Sequence, residues 1–215
     1  MAFNRRDLVS ALALVPAASL LSTSVPATAQ NSVGTFIGEI VARWNADGRE
    51  MTLTGPFEFV GPDGQSWPVP TGTTVDGASI PRAFWTFIGG PFEGSYRSAS
   101  VVHDFYCQVK TRPYRDVHRM FREGMEAAGV SSSKSFIMYH AVNRFGPRWS
   151  NVEIDPKCLV VDENYDFAAC SRNAAPALAV LEVNEENLTA FIEDIETEAD
   201  PSDVAALKES LSAVR

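Results

Sequence analysis

The sequence predicts an α+β fold, a short antiparallel β-meander followed by three packed helices and a helical C-terminal tail. Three observations predict it. Residues 34–70 are β-prone runs cut by turn chemistry, residues 96–145 carry three apolar stripes at helical spacing, and the residues after about Asn184 are acidic and amphipathic. At 215 residues and 45% hydrophobic, the chain suits one domain of ordinary size with appendages.

The N-terminal stretch carries a short basic start, an apolar run from Leu8 to Leu21 and small residues Ala27-Thr28-Ala29 before Gln30, which is the layout of an export signal over residues 1–29. The Arg5-Arg6 pair with Leu8 two places on resembles the twin-arginine type, which hands over a folded chain; an ordinary secretion signal is the alternative. Pro16 interrupts the run, which is shorter than the ~20 residues a spanning helix needs, and no later segment comes close. The expected product is periplasmic or secreted, with no transmembrane segment. Without residues 1–29 the chain keeps 16 basic and 26 acidic residues, a formal charge of −10, and that sign argues against nucleic acid as a partner.

From Gly34 to Pro70 the strands read TFIGEIVARW, EMTLTGPFEFV and SWPVP, with turns at Asn45-Ala46-Asp47-Gly48 and Gly61-Pro62-Asp63-Gly64. The segment VDGASIPRAFWTFIGGPFEGS then reads as a packed loop with one short helix, a kind of loop that often carries a site. Helices are expected at about 96–110, 114–128 and 132–145. The first buries Val101, Phe105 and Val109, the second Val117, Phe121 and Met125 between Pro113 and Gly129, and the third Ile137, Met138, Ala141, Val142 and Phe145 after a serine-rich N-cap. Residues 151–215 form a loop, an Ala/Pro-rich linker and two acidic helices capped near Asn184 and Ser202. An oxidising compartment permits a disulfide, and Cys158 with Cys170 is the favoured pair. Closing that loop is worth about 3 kcal/mol in the chain-entropy model, and Cys107 stays outside it.

Four residues can carry chemistry together. His103 and Asp104 are neighbours on one helix, about 100° apart, and both can reach a groove at its edge. Asp76 lies in the preceding glycine-containing loop. His118 lies on the next helix, facing His103 if the two helices run antiparallel. A histidine can act as a general base and an aspartate can anchor a hard cation, yet a polar cluster that cements helices uses the same residues.

Residues 69–149, and above all TVDGASIPRAFW and VVHD, resemble the bacterial and phage family called domain of unknown function 1353, so the chain divides into residues 1–29, a domain over 30–150 and the 151–215 tail. More distantly, the order Asp76-Gly77, His103-Asp104-Phe105, His118 to Phe121 and Tyr139 to Gly146 resembles prokaryotic secreted phospholipases A2. That resemblance implies a three-helix phospholipase-A2-like core, a phospholipid substrate and a calcium-dependent hydrolase. His103 would be the base that activates water; Asp76, the Gly77 carbonyl and Asp104 would hold Ca²⁺ at the oxyanion.

His118 stands where that pattern has aspartate, so it would support His103 without supplying negative charge, and activity would be weakened or lost. The alternative is a non-catalytic envelope or protein-binding module with a structural or metal-binding cluster. Zn²⁺ is the less favoured ion, held by His103 and His118 with Asp104 or Asp76; Cys107, four residues after His103, is a further candidate ligand. His140 reads as structural, Ser79 as a turn or cap residue, Asp116 as solvated and Arg82 as surface-paired. Trp85, Phe84 and Phe87 read as core in preference to an acyl groove.

Overall fold

The computed structural model describes residues 33–77, 80–90, 92–150 and 154–212. The expected leader over 1–29 and Ser79 lie outside the described residues. The strands are short because glycine and proline interrupt them. In TFIGEIVARW, Gly38 turns with φ 85° and splits the run into β1 (Thr35–Ile37) and β2 (Ala42–Trp44). Gly55-Pro56 likewise divides the next run into β3 (Met51–Leu53) and β4 (Phe57–Val60), before β5 (Ser66–Val69) and β6 (Thr74–Val75).

The expected α+β class with a small antiparallel β region is what the chain has, and that region forms two interleaved three-stranded sheets, ordered β1-β4-β5 and β2-β3-β6, in place of one continuous meander. Each long run gives one strand to each sheet. In the first sheet Phe36 faces Phe59 and Phe59 faces Trp67; Phe57, Phe59, Trp67 and Val69 turn inward at the alternate spacing a half-buried strand requires. Both expected turns form: Gly48 and Gly64 have positive φ, and Asp47 and Asp63 accept backbone N–H bonds from the residues that follow.

A 3₁₀ turn at Arg82–Phe84 leads into the short helix α1 (Trp85–Ile88), then α2 (Arg97–Val109), α3 (Tyr114–Ala127) and α4 (Ser132–Phe145), close to the ranges expected. Ser131 caps α4 through a bond from Lys134 N, and Gly129, with φ 87°, follows the end of α3. Phe84 and Phe87 are core residues. The two faces of α3 feed different apolar clusters: Val117 and Met120 join the sheets and α2, whereas Phe121 and Met125 join α1, α4 and the C-terminal helices.

Beyond α4 come the strand β7 (Arg148–Trp149), the helix α5 (Phe167–Arg172), the strand β8 (Ala177–Leu178) paired to β7, and the helices α6 (Glu185–Ile195) and α7 (Pro201–Ser212). Asn184 caps α6, as expected. The last helix starts a residue before Ser202, because the Asp200 carboxylate accepts from Ser202 N at 2.8 Å. These helices are not an appendage: Phe191, Ile195 and Leu207 are fully buried, and Phe84, Phe145 and Phe191 contact one another with centroids 5.5–5.7 Å apart. The Cys158–Cys170 disulfide is present. It staples α5 beside α2, where Phe105 meets Tyr165 and Phe167.

Candidate metal centre

His103 and Cys107 are four residues apart on α2 and so share one face of that helix. Residues 110–113 turn the chain back, and α3 returns alongside with His118 on its inner face. The helices can approach because Gly124 stands opposite Ala99: a Cβ at position 124 would lie 3.1 Å from the Ala99 Cβ. The result places His103 Nε2 2.9 Å from His118 Nδ1, with both rings wholly buried. Cys107 Sγ lies 3.6 Å from His103 Nε2 and 3.8 Å from its Nδ1. One ligand atom from each of the three residues falls within 4.8 Å of the others.

The protonation pattern follows from the far side of His118. Its Nε2 lies 3.1 Å from the Pro147 carbonyl oxygen, which can only accept, so Nε2 carries the proton and Nδ1 presents a lone pair. His103 Nε2–H must then donate across the 2.9 Å gap. Phe121 covers the His103 ring at a centroid distance of 4.5 Å, while Tyr114 and Trp149 stand edge-on to His118. In this dry setting burial holds the His103 imidazole well below its ordinary pKa, helped by the neighbouring ring. Burial likewise pushes His118 down to about 4; the Pro147 hydrogen bond opposes that shift and the Arg148 charge adds to it.

The carboxylates stand elsewhere. Asp104 Oδ2 accepts from the backbone N–H groups of Asp76 at 3.0 Å and Gly77 at 2.9 Å. Gly77, at φ 100°, takes the left-handed conformation in this turn. The Asp76 side chain points outward, 3.6 Å from Arg49, and is about half exposed. The four residues expected to act together, with the Gly77 that the phospholipase resemblance adds, thus form two groups, the His103–His118 pair and the Asp104 contact to the Asp76-Gly77 turn. Among the described residues the cluster of metal-ligand type is His103, Cys107 and His118, and it includes neither aspartate. The Pro147 carbonyl was invisible to sequence reasoning, since a backbone acceptor carries no residue signature. Asp116 pairs with Arg119 at the surface, His140 is half-buried against Phe136, and Arg82 lies over the Trp85 ring.

The donor set fits a borderline or soft ion. Zinc bonds of about 2.0–2.1 Å to nitrogen and 2.3 Å to sulfur give tetrahedral N–N and N–S separations near about 3.3 and 3.6 Å. The 3.6 Å Sγ–Nε2 distance already matches, and the rings need to part by a few tenths of an ångström from 2.9 Å. The hydrogen bond from His118 to a backbone carbonyl is the outer contact that metal-bound histidines normally make. Calcium requires several oxygens, and this cluster offers none.

Residues 51–142 match the family model described as "Protein of unknown function (DUF1353)", in agreement with the resemblance read from the sequence. Two uncharacterized proteins of Sinorhizobium fredii are similar to this chain. One, y4jT, is 49% identical over 126 residues, covering 58% of this chain and 38% of its own length; the other, y4iH, is 37% identical over 112 residues, covering 52% and 47%. The chain thus spans less than half the length of these relatives. No solved structure matches it. Among the described residues, no helix is long and apolar enough to cross a membrane.

Proposed function

We propose, taking the DUF1353 segment at residues 51–142 as the premise, that the protein is an exported, non-catalytic module whose α2–α3 pair holds one transition-metal ion. The observation that carries this reading is the convergence of one ligand atom each from His103, Cys107 and His118 within 4.8 Å in a buried setting. An imidazole that must meet substrate and water needs access, and both of these are sealed. A metal ligand needs only a lone pair.

The proton inventory on binding follows from the tautomers. His118 already presents Nδ1. His103 must move its proton from Nε2 to Nδ1, and the Cys107 thiol must release one, since thiolate is the ligand form. Binding should therefore release about one proton per ion. A twin-arginine-like leader would suit a buried ion acquired during folding, ahead of export to the periplasm or beyond.

Elemental analysis of the full protein, with melting temperature followed against added zinc and calcium, tests the reading. A transition metal should bind one to one and raise the melting temperature, and His118→Ala should abolish both effects. A protein that takes up no transition metal under reducing conditions would sink the proposal.

The calcium-dependent phospholipid hydrolase implied by motif order is the second reading. One observation favours it: Asp104 lies against the Asp76-Gly77 turn, so three of its expected calcium residues are neighbours. The Asp104 oxygen there faces two N–H donors, however, which is an anion's environment. Release of fatty acid from phospholipid in calcium, lost in His103→Ala, would establish this reading in place of the first.

A further inference from the structure

We infer that the ion suited to His103, Cys107 and His118 is monovalent copper, held three-coordinate in a site of zero net charge. The inference rests on the metal-centre reading above and names the ion that reading leaves open.

Charge decides between the two soft-site ions. With Cys107 as thiolate and two neutral imidazoles, the ligands carry a single negative charge. Cu(I) brings that to zero; Zn²⁺ leaves one positive charge at a position buried under Phe121, Tyr114 and Trp149. An uncompensated buried charge costs several kcal/mol even after relaxation.

The usual remedy is a carboxylate among the ligands; Asp104, next to His103 in the chain, turns one oxygen to the Asp76-Gly77 backbone and is not part of the ligand cluster. The Arg148 guanidinium acts on His118 as a positive charge, which is the wrong sign to offset another one. Arg148 is itself fixed in place, with one guanidinium nitrogen bonded to the carbonyls of Asn143 and Arg144.

Coordination number points the same way. Zinc in proteins takes four ligands, or three plus a water. The cluster supplies three, and both histidines are entirely buried. Soft thiolate ligands select Cu(I) as well as zinc, so the sulfur is compatible with both, and a set of three His/Cys donors among the described residues is the number Cu(I) accepts.

The test is an anaerobic competition titration of the full, thiol-reduced protein against Cu(I) held by a chromophoric chelator, run with and without equimolar Zn²⁺. One equivalent of Cu(I) should leave the chelator, zinc should not displace it, and X-ray absorption should report two nitrogens and one sulfur. Cys107→Ser keeps both imidazoles and should weaken Cu(I) binding by more than about a hundredfold. Its melting temperature without metal checks that the fold survives, and Cys107→Ala serves if it does not. Zinc displacing copper at the same three ligands overturns this inference while sustaining the metal-centre reading. Failure to bind either ion overturns both.

Discussion

Asp104 sits with one carboxylate oxygen 2.9 Å from Gly77 N and 3.0 Å from Asp76 N, although the residue before it in the chain, His103, points to a different partner. Adjacent helical positions diverge by about 100°, which lets α2 carry two independent polar contacts through an apolar interior. Removing the carboxylate leaves two backbone donors short of an acceptor, one of them in a turn that needs Gly77 at positive φ. Asp104→Ala is expected to cost about 3 kcal/mol in urea unfolding, and Asp104→Asn, which retains an acceptor, about half of that. An Asp104→Ala protein as stable as the parent would show that the turn is held by other means.

The histidines predict an acid limb in stability. Burial lowers both folded pKa values, His118 to about 4, against an unfolded value of about 6.5. The contribution of the neutral rings is therefore complete above pH 6.5 or so and is lost as pH falls from there towards 4, where the unfolded chain binds protons that the folded chain refuses. Each ring contributes a slope of up to about 1.4 kcal/mol per pH unit inside that window. Urea midpoints at pH 7 and pH 5 should separate clearly in the metal-free protein, and His118→Gln should shrink the separation. An unchanged separation would mean that other groups govern the acid limb.

The sequence made this site only half legible, for a physical reason. Apolar spacing placed α2, α3 and α4 almost to the residue and put His118 opposite His103, because helical period and antiparallel return are local properties. The calcium set was drawn from motif order and residue type, neither of which says where a carboxylate points. A carboxylate that binds backbone N–H groups and one that binds a cation look identical in a sequence, and so do a Pro147 carbonyl that orients an imidazole and one that faces solvent. The division into two sheets was signalled by Gly38 and by Gly55-Pro56, each inside a run that otherwise reads as one strand.

The α2–α3 approach gives a steric prediction. A Cβ on residue 124 would meet Ala99 at 3.1 Å, a gap that small shifts can relieve, and alanine also gains about 1 kcal/mol of helix propensity over glycine. Gly124→Ala should therefore be nearly neutral, whereas Gly124→Val should cost about 3 kcal/mol by overpacking. The same displacement, larger than the few tenths of an ångström by which the rings must part to take an ion, would carry His103 and His118 out of reach of a shared metal, so Gly124→Val should also lose metal binding. A valine variant that unfolds like the parent and binds metal equally well would show that this crossing does not set the site's spacing.

Thiol reactivity tests burial and the disulfide in one experiment. Cys158 and Cys170 are bonded, and Cys107 is 6% exposed beneath the α2–α3 contact. Alkylation of the native, unreduced protein should label no cysteine quickly, denaturant alone should expose one thiol, and reduction in denaturant should expose all three. Cutting the bridge frees a segment that covers Phe105 with Tyr165 and Phe167, and the loop-entropy argument puts the cost at about 3 kcal/mol. The reduced protein should accordingly unfold at lower urea, and Cys107 should label faster as local opening becomes easier. Bound metal should slow that labelling further, since a coordinated thiolate is no longer available to the alkylating agent. If Cys107 reacts in the native state at the rate of an unfolded peptide, the thiol is open to solvent and the buried metal centre falls with it.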